Sequence, residues 1–119
     1  MTQRTVLVTG GNRGIGFAIA AHFVSLGHRV AVTSRSGEGG PEGSLTVQAD
    51  VTDSASVDAA IKAVEQELGA VEVLIANAGI TKDNLLLRMS EDDFQQFIDT
   101  NLTGVFRVLK RSSKGMLKA

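Results

Sequence analysis

The fold of this chain is decided by the stretch Thr9–Gly16, which reads TGGNRGIG. It follows the apolar run Val6–Val8 and precedes a segment with helical periodicity, so a tight turn between a strand and a helix is predicted. Glycines let such a turn approach a diphosphate closely, and the N-terminus of the helix presents free N–H groups to the anion. The G-x3-G-x-G spacing of Gly10, Gly14 and Gly16 suits this task but differs from the common G-x-G-x-x-G fingerprint. On this motif alone, nucleotide binding and a structural loop with helix-capping glycines remain alternatives.

Composition excludes several classes of protein. A chain of 119 residues is one small domain or part of a larger one, and its net charge of −1 gives no electrostatic case for binding nucleic acid. No apolar run approaches the roughly 20 residues that span a bilayer, and the N-terminus does not resemble a signal peptide. The absence of cysteine is compatible with a cytoplasmic location, and His22 and His28 lack the spacing of a metal site. We therefore predict no metal, no membrane contact and no nucleic-acid partner.

Strand-like and helix-like segments alternate on both sides of the opening stretch. Four strands are predicted at residues 4–9, Arg29–Ser34, Leu45–Ala49 and Val71–Ala76. Three helices are predicted, at residues 14–26, from a cap at Asp53 or Ser54 to Gly69, and onward from a capping box at Ser90 and Asp93. This alternation indicates an α/β fold, with a parallel sheet covered by helices on both faces.

Two helices are expected to bury a particular apolar face. In the first helix the predicted stripe is Ile15, Ala18, Ile19, His22, Phe23 and Leu26, with Gly27 ending the helix. His22 is expected at the border of this stripe, with its polar edge in water and no role as a ligand. In the long last helix the predicted face is Phe94, Phe97, Ile98, Asn101, Leu102, Val105 and Leu109. Its C-terminal cations, Lys110, Arg111, Lys114 and Lys118, are expected to interact with the helix dipole.

Polar residues follow each predicted strand at its carboxyl end, where ligands of open parallel sheets bind. These sets are Thr9–Gly16, Ser34–Arg35, Asp50–Val51 and Asn77–Gly79. Each set alone is ordinary for a turn, but their convergence on one edge is what a single extended ligand needs. A phosphate-loop NTPase is excluded because Phe17 stands where the G-x4-G-K-[S/T] motif requires lysine.

The residue at the end of the second strand indicates which dinucleotide is preferred. NAD sites place a carboxylate on the ribose 2′-hydroxyl about 20 residues after the glycines. Here that position falls at Ser34–Ser36, with Arg35 at its centre. A guanidinium binds a 2′-phosphate in a bidentate manner, and Arg13 in the glycine loop can reach the same side. We predict a preference for NADP(H) over NAD(H), the alternative being that Arg35 is a solvated surface residue.

Three further residues carry two interpretations each. Asp50 is placed either to accept a hydrogen bond from the adenine amine or to close an Asx turn, and Asn77 has a similar choice. Asn101 is predicted on an apolar helix face, where an unpaired amide costs a few kcal/mol. We therefore expect a hydrogen-bond partner for Asn101, either backbone, water or a functional site.

Together these residues resemble the classical short-chain dehydrogenase/reductase family. Thr9-Gly10-x-x-x-Gly14-Ile15-Gly16 is similar to its cofactor loop, Asp50-Val51 to its adenine contact, and Asn101 to its tetrad asparagine. Asn77-Ala78-Gly79 is similar to its Asn-Asn-Ala-Gly element, except that Ala76 replaces the first asparagine. The resemblance implies a Rossmann-like sheet with strand order 3-2-1-4 and a catalytic proton-relay role for Asn101. It also implies that NADP(H) is bound by Thr9, Gly10, Asn12, Arg13, Gly14, Ile15, Gly16, Ser34, Arg35, Asp50, Val51, Asn77, Ala78 and Gly79.

Within the family, residues 77–89 and 100–107 resemble 3-oxoacyl-[acyl-carrier-protein] reductases, with the actinobacterial type most similar. This implies NADPH-dependent reduction of a 3-ketoacyl thioester of acyl carrier protein in fatty-acid or mycolic-acid synthesis, by a cytoplasmic homotetramer. Another short-chain dehydrogenase, for sugars, steroids or alcohols, and a non-catalytic dinucleotide-binding module stay open as alternatives.

The family's catalytic serine and Tyr-x-x-x-Lys have no counterpart in this sequence, which contains no tyrosine. We therefore expect residues 1–119 to be the N-terminal part of a single dinucleotide-binding domain, lacking the catalytic half and inactive as a reductase. The fourth strand is expected to keep one open apolar edge, a site for self-association.

Overall fold

Strands and helices alternate along the chain, as the sequence predicts. The computed structural model describes residues 3–77 and 90–117. In chain order the elements are β1 (Thr5–Thr9), α1 (Gly14–Ser25), β2 (Arg29–Ser34), β3 (Leu45–Gln48), α2 (Ser54–Leu68), β4 (Val73–Ala76), α3 (Glu91–Ile98), a π-helical turn (Asp99–Thr103) and α4 (Gly104–Met116).

The four strands form one parallel sheet in the order β3-β2-β1-β4, which confirms the expected 3-2-1-4 arrangement. Every residue of β1 is buried, because β1 pairs with a strand on each side and is covered on both faces. Among the described residues β4 pairs with β1 alone, so its other edge is unpaired, as expected. The ladder of β4 begins at Val73 rather than Val71, although Val71 is still buried.

Alternate residues of the strands point to opposite faces of the sheet and pack into two separate hydrophobic cores. Val6 and Val8 pack with Ala20 on the face covered by α1. Leu7 points to the other face and packs with Val64 of α2 and Val108 of α4. The sheet is therefore covered by helices on both faces, as the sequence predicts. Val57, Ala60, Ile61 and Val64 are the buried residues of α2, which has Asp53 as its N-cap and Gly69 (φ +91°) at its end, as predicted.

The predicted apolar stripe of α1 is wrong at several positions. Ile15 is 74% exposed, Leu26 is 42% exposed, and Ala18 is exposed as well. His22 is also exposed, which agrees with its expected place at the border of the stripe. The buried face is instead built on Gly16 and Ala20, with Ile19, Phe23 and Val24 packed beside them. The small residues decide this face because they let the helix backbone approach the sheet closely. Gly27 follows the helix with φ +87°, as predicted.

The last helix is not one continuous helix. The capping box of Ser90 and Asp93 is present, but the helix is interrupted by the π-helical turn, which adds a residue and rotates the following face. The buried positions are therefore Thr100, Gly104, Val108, Ser112 and Gly115. Leu102 and Leu109, predicted to be buried, are 65% and 48% exposed. The side chains of Phe94 and Phe97 lie outside the described part of the chain.

Arg111 joins α4 to α2, so its charge does more than interact with the helix dipole. Its Nε donates to Asp58 Oδ1 at 2.6 Å, and its Nη2 donates to Glu65 Oε1 at 2.9 Å. Both hydrogen bonds raise the pKa of Arg111, the Asp58 bond most strongly. The prediction of a helix-dipole role for this residue is therefore incomplete. Lys118 lies outside the described residues.

Candidate functional site

The carboxyl ends of the strands open onto a cleft of about 1040 Å³. All four sequence-predicted sets contribute to its lining, through Gly10, Asn12, Arg13, Gly14, Ser34, Arg35, Asp50, Val51 and Asn77. Thr33, Ser36, Ala49 and Thr52 belong to the same strand ends. The opposite wall comes from α3 and the π-helical turn, through Gln95, Gln96, Ile98, Asp99, Thr100 and Thr103. Sequence reasoning did not place these residues at the cleft, although Thr100 and Thr103 belong to the stretch 100–107 quoted above.

The glycine turn is shaped by close backbone approach. Gly10 and Gly14 have φ values of +68° and +60°. Residues that carry a Cβ rarely adopt this region of backbone conformation. A Cβ on Gly16 would stand 2.5 Å from both Asn77 Nδ2 and Gly10 O, so this position has no room for a side chain. Gly11, which the sequence analysis did not select, has the same constraint against Val32 Cγ1 at 2.5 Å. Its position directly beside Gly10 was the available signal.

Hydrogen bonds hold this turn between β2 and β4, among them one from Gly11 N to Thr33 O at 3.2 Å. Gly10 N donates to Thr33 Oγ1 at 3.3 Å, and Asn77 Nδ2 donates to Gly10 O at 3.3 Å. Asn77 N donates to Thr9 Oγ1 at 3.0 Å, so Thr9 acts from beneath the turn and does not line the cleft. Asn77 therefore has the structural role in the turn that was one of its two interpretations. Ala78 and Gly79 lie outside the described residues.

The mouth of the cleft beside this turn is positively charged. Arg13 is the N-cap of α1 and makes no side-chain capping bond, and the first turn of α1 contains no acidic residue. Arg13 and Arg35 are both exposed, and neither forms an ion pair with any residue in the ranges 3–77 and 90–117. The helix dipole and two guanidinium groups thus favour an anion at this place. Ile15 is exposed beside the turn but does not line the cleft.

The loop after β2 is folded back on itself near Arg35. Ser34 Oγ accepts a hydrogen bond from Glu38 N at 3.0 Å and donates one to Glu38 O at 2.9 Å. Gly39, with φ +98°, lies so close to the glycine turn that a Cβ there would meet Asn12 Cβ at 3.2 Å. The loop therefore holds the end of β2 against the turn.

Asp50 closes an Asx turn. Its Oδ1 accepts hydrogen bonds from Thr52 Oγ1 at 2.6 Å and Thr52 N at 3.0 Å. These two bonds hold the pKa of the Asp50 carboxyl below its usual range, and the charges of Arg35 and Arg107 act in the same direction against desolvation. The Asx turn, one of the two interpretations of Asp50, is thus present, and Asp50 also lines the cleft.

Asn101 lies in the π-helical turn and is partly exposed, so its predicted place on a buried face is wrong. It does not line the cleft, but Thr100 and Thr103 of the same turn do. The inserted residue of the turn is the reason for the rotated face. In the described part of the chain, no cluster of acidic, histidine or cysteine side chains could hold a metal ion, and no helix is long and apolar enough to cross a membrane.

Comparison with known proteins shows that this chain is similar to dehydrogenases and reductases. The family model described as short chain dehydrogenase matches residues 4–119. The 3-oxoacyl-[acyl-carrier-protein] reductase MabA of Mycobacterium tuberculosis is 56% identical over 114 residues, which are 96% of this chain and 46% of MabA. FabG of Vibrio harveyi, another 3-oxoacyl-[acyl-carrier-protein] reductase, is 42% identical over 123 residues, which are 97% of this chain and 50% of FabG.

A solved structure has the same fold. The ligand-free aldohexose dehydrogenase of Thermoplasma acidophilum matches 98% of this chain with a TM-score of 0.91 and 33% identity, and the match covers 46% of that chain. The chain thus spans about half the length of the relatives that it matches.

Proposed function

This chain belongs to the short-chain dehydrogenase family, and we propose that it is the NADP(H)-binding portion of a 3-oxoacyl-[acyl-carrier-protein] reductase. The similarity to MabA and FabG, whose names state that activity, supports this choice. The whole protein would reduce 3-ketoacyl thioesters of acyl carrier protein to 3-hydroxyacyl thioesters. The other short-chain dehydrogenases would use the same cofactor residues, so the cleft alone does not favour them.

The residues of the cleft fit a dinucleotide. The absence of a side chain at Gly14 leaves the glycine turn open to a diphosphate in front of the N-terminus of α1, and Gly16 lets the helix lie directly against the turn. Arg35, assisted by Arg13 and Ser34, would bind a 2′-phosphate, and the turn of Asp50 and Val51 would receive the adenine. Thr9, Gly10, Asn12 and Asn77 would hold the backbone of the site in place. Ile15, Ala78 and Gly79 complete the proposed set of cofactor-binding residues.

When bound, NADPH supplies a hydride to the ketone carbon of the substrate. The carbonyl oxygen must then receive a proton, and Asn101 would hold a water molecule in the relay that delivers it. A side-chain acid is also needed, and the family's tyrosine has no counterpart among these residues because the chain contains no tyrosine. We therefore propose that the 119-residue chain binds NADPH but does not turn over a ketoacyl thioester.

The observation that carries the cofactor assignment is Arg35, which lies at the cleft directly after β2. It makes no salt bridge with a described residue, although its charge acts on the Asp50 carboxyl across the cleft. The test measures dissociation constants of NADPH and NADH for the chain and for Arg35→Ala by titration calorimetry. We expect NADPH to bind more tightly than NADH, and Arg35→Ala to weaken NADPH about tenfold, because a charge-assisted bidentate contact is lost.

NADH is the matched control ligand in this experiment, because it has no 2′-phosphate and its affinity should not change in Arg35→Ala. Equal affinity for both nucleotides in the unmodified chain would overturn the preference for NADP(H). Binding of neither nucleotide would overturn the proposed function as a whole.

A further inference from the structure

We propose that Arg107 is a positioning residue for the adenosine end of the dinucleotide, acting through the cleft turn Asp50–Thr52. This inference rests on the function proposed above and deepens it. Arg107 does not line the cleft, and although it ends the stretch 100–107 that resembles the reductases, that resemblance assigns it no role. Its importance follows from the contacts that it makes on both walls of the cleft.

The cleft turn Asp50–Thr52 has little support from the sheet. It follows β3, an edge strand that pairs with β2 alone in the described structure. The pairing with β2 ends where Ala49 N donates to Ser34 O at 2.9 Å. Beyond it, Asp50 N donates to Ser56 Oγ at 2.9 Å and Thr52 N donates to Asp50 Oδ1 at 3.0 Å. Such local bonds fix the shape of the turn but not its distance from the opposite wall.

Arg107 adds a long-range restraint made of hydrogen bonds. Its Nη1 donates to Val51 O at 2.9 Å, and its Nη2 donates to Asp99 Oδ1 at 2.8 Å. Val51 is part of the cleft turn and Asp99 is part of the π-helical turn, and both line the cleft. A rigid planar guanidinium therefore fixes the spacing between two walls of the site. The Arg107 side chain is only 19% exposed, so water competes weakly for these bonds.

Packing restrains the same turn from the side of α4. Gly104 lies so close to Val51 that a Cβ on Gly104 would stand 2.8 Å from Val51 Cγ2. The cleft turn therefore cannot move toward α4, and the bond from Arg107 keeps it from moving away. Together these contacts hold the carbonyl of Val51 and the neighbouring carboxylate of Asp50 at a defined depth in the cleft.

Arg111 provides a matched control one helical turn further along α4. Both arginines join α4 to another element through two hydrogen bonds, and their side chains are 19% and 20% exposed. The difference is the partner, since Arg111 binds Asp58 and Glu65 of α2, away from the cleft. A purely structural role would give the two residues the same effect on ligand binding.

The experiment compares Arg107→Met, Arg107→Lys and Arg111→Met in the 119-residue chain. Calorimetry gives the dissociation constants of NADPH and of adenosine 2′,5′-bisphosphate, which carries only the adenosine end. We expect Arg107→Met to weaken both ligands by the same factor of about 10, or about 1.4 kcal/mol. Arg107→Lys retains the charge but not the planar fork, and should lose about threefold. Arg111→Met should lower the unfolding midpoint without changing either dissociation constant.

Two results would overturn the inference. One is an adenosine 2′,5′-bisphosphate affinity of Arg107→Met and Arg107→Lys equal to that of the unmodified chain. The other is an equal loss in Arg111→Met, which would indicate general destabilisation. If the unmodified chain binds neither ligand, the proposed function itself fails, which is a distinguishable result. Circular dichroism spectra establish that each variant is folded, and Arg107→Lys remains decisive if Arg107→Met does not fold.

Discussion

Arg29 and Arg35 lie at opposite ends of β2 and have opposite surroundings. Arg29 Nε donates to Thr5 Oγ1 and to Leu68 O, both at 3.0 Å, and its Nη2 lies 3.8 Å from Glu72 Oε1. Arg35 is exposed at the cleft, without an ion pair in the ranges that the structure describes. The guanidinium at the amino end of β2 thus binds groups of the chain itself, while the guanidinium at the carboxyl end is left for a ligand.

The direction of the helices explains this difference. In a parallel sheet with crossover helices, the helices end beside the amino ends of the strands, which form the amino-end edge of the sheet. They begin beside the carboxyl ends of the strands, which form the carboxyl-end edge. At the amino-end edge the last carbonyls need donors, and Leu68 O accepts from both Thr5 Oγ1 (2.7 Å) and Arg29. Similarly, Gln3 Nε2 donates to Gly27 O at 3.0 Å, just after α1. At the carboxyl-end edge, the N-terminus of α1 has no side-chain cap, which leaves its N–H groups to an anion.

The two glycines at either end of α1 give the largest expected contrast between the edges. Gly16→Ala places a Cβ 2.5 Å from Asn77 Nδ2 and Gly10 O, so the glycine turn must move. We expect NADPH affinity to fall by about a hundredfold or more, measured by calorimetry. Gly27→Ala meets no atom within 4 Å but adopts φ +87°. It should cost about 1–2 kcal/mol of unfolding free energy and leave the affinity unchanged. If Gly27→Ala weakens NADPH as much as Gly16→Ala, the division between the edges is wrong.

The arginine at the amino-end edge should show the opposite behaviour to Arg35. Arg29→Met removes donors to Thr5 Oγ1, Leu68 O and the Gln3 side chain. We expect the free energy of unfolding to fall by about 1–3 kcal/mol in urea titrations, with no change in the dissociation constant of NADPH. Arg35→Ala is the counterpart, since it should weaken NADPH and leave the unfolding midpoint in place. A loss of affinity in Arg29→Met would mean that the two edges are coupled through β2.

Local patterns in the sequence were sufficient to predict the sheet and the carboxyl-end edge. Strand alternation and turn residues depend on neighbours in the chain, and β2 begins and ends at the predicted residues Arg29 and Ser34. The four polar sets converge because parallel strands end at one edge, which is a property of the fold and not of any one residue.

Contacts between distant residues could not be predicted in the same way. The amino-end edge joins Arg29 to Leu68 and Glu72, and Arg107 joins α4 to Val51, through spacings that carry no sequence signature. The faces of α1 and α4 were mispredicted because small residues decided them. Hydrophobic periodicity predicts that Leu102 and Leu109 are buried. Close packing at Gly104 and the inserted residue of the π-helical turn rotate the helix, so that both leucines face outward.

Ser112 gives the smallest expected effect. It tests the one buried side-chain nitrogen or oxygen of the described residues that has no hydrogen-bond partner. It is 1% exposed, lies in α4 where that helix packs on α2, and its Oγ has no hydrogen-bond partner. Ser113 is the matched control, because its exposed Oγ donates to Leu109 O at 2.7 Å. Alanine favours a helix equally at both positions, but only Ser112→Ala removes a desolvated, unpaired hydroxyl. Ser112→Ala should therefore be more stable than Ser113→Ala by about 1 kcal/mol in urea titrations, with NADPH binding unchanged in both. A Ser112→Ala variant less stable than the unmodified chain would mean that this hydroxyl does find a partner inside the fold.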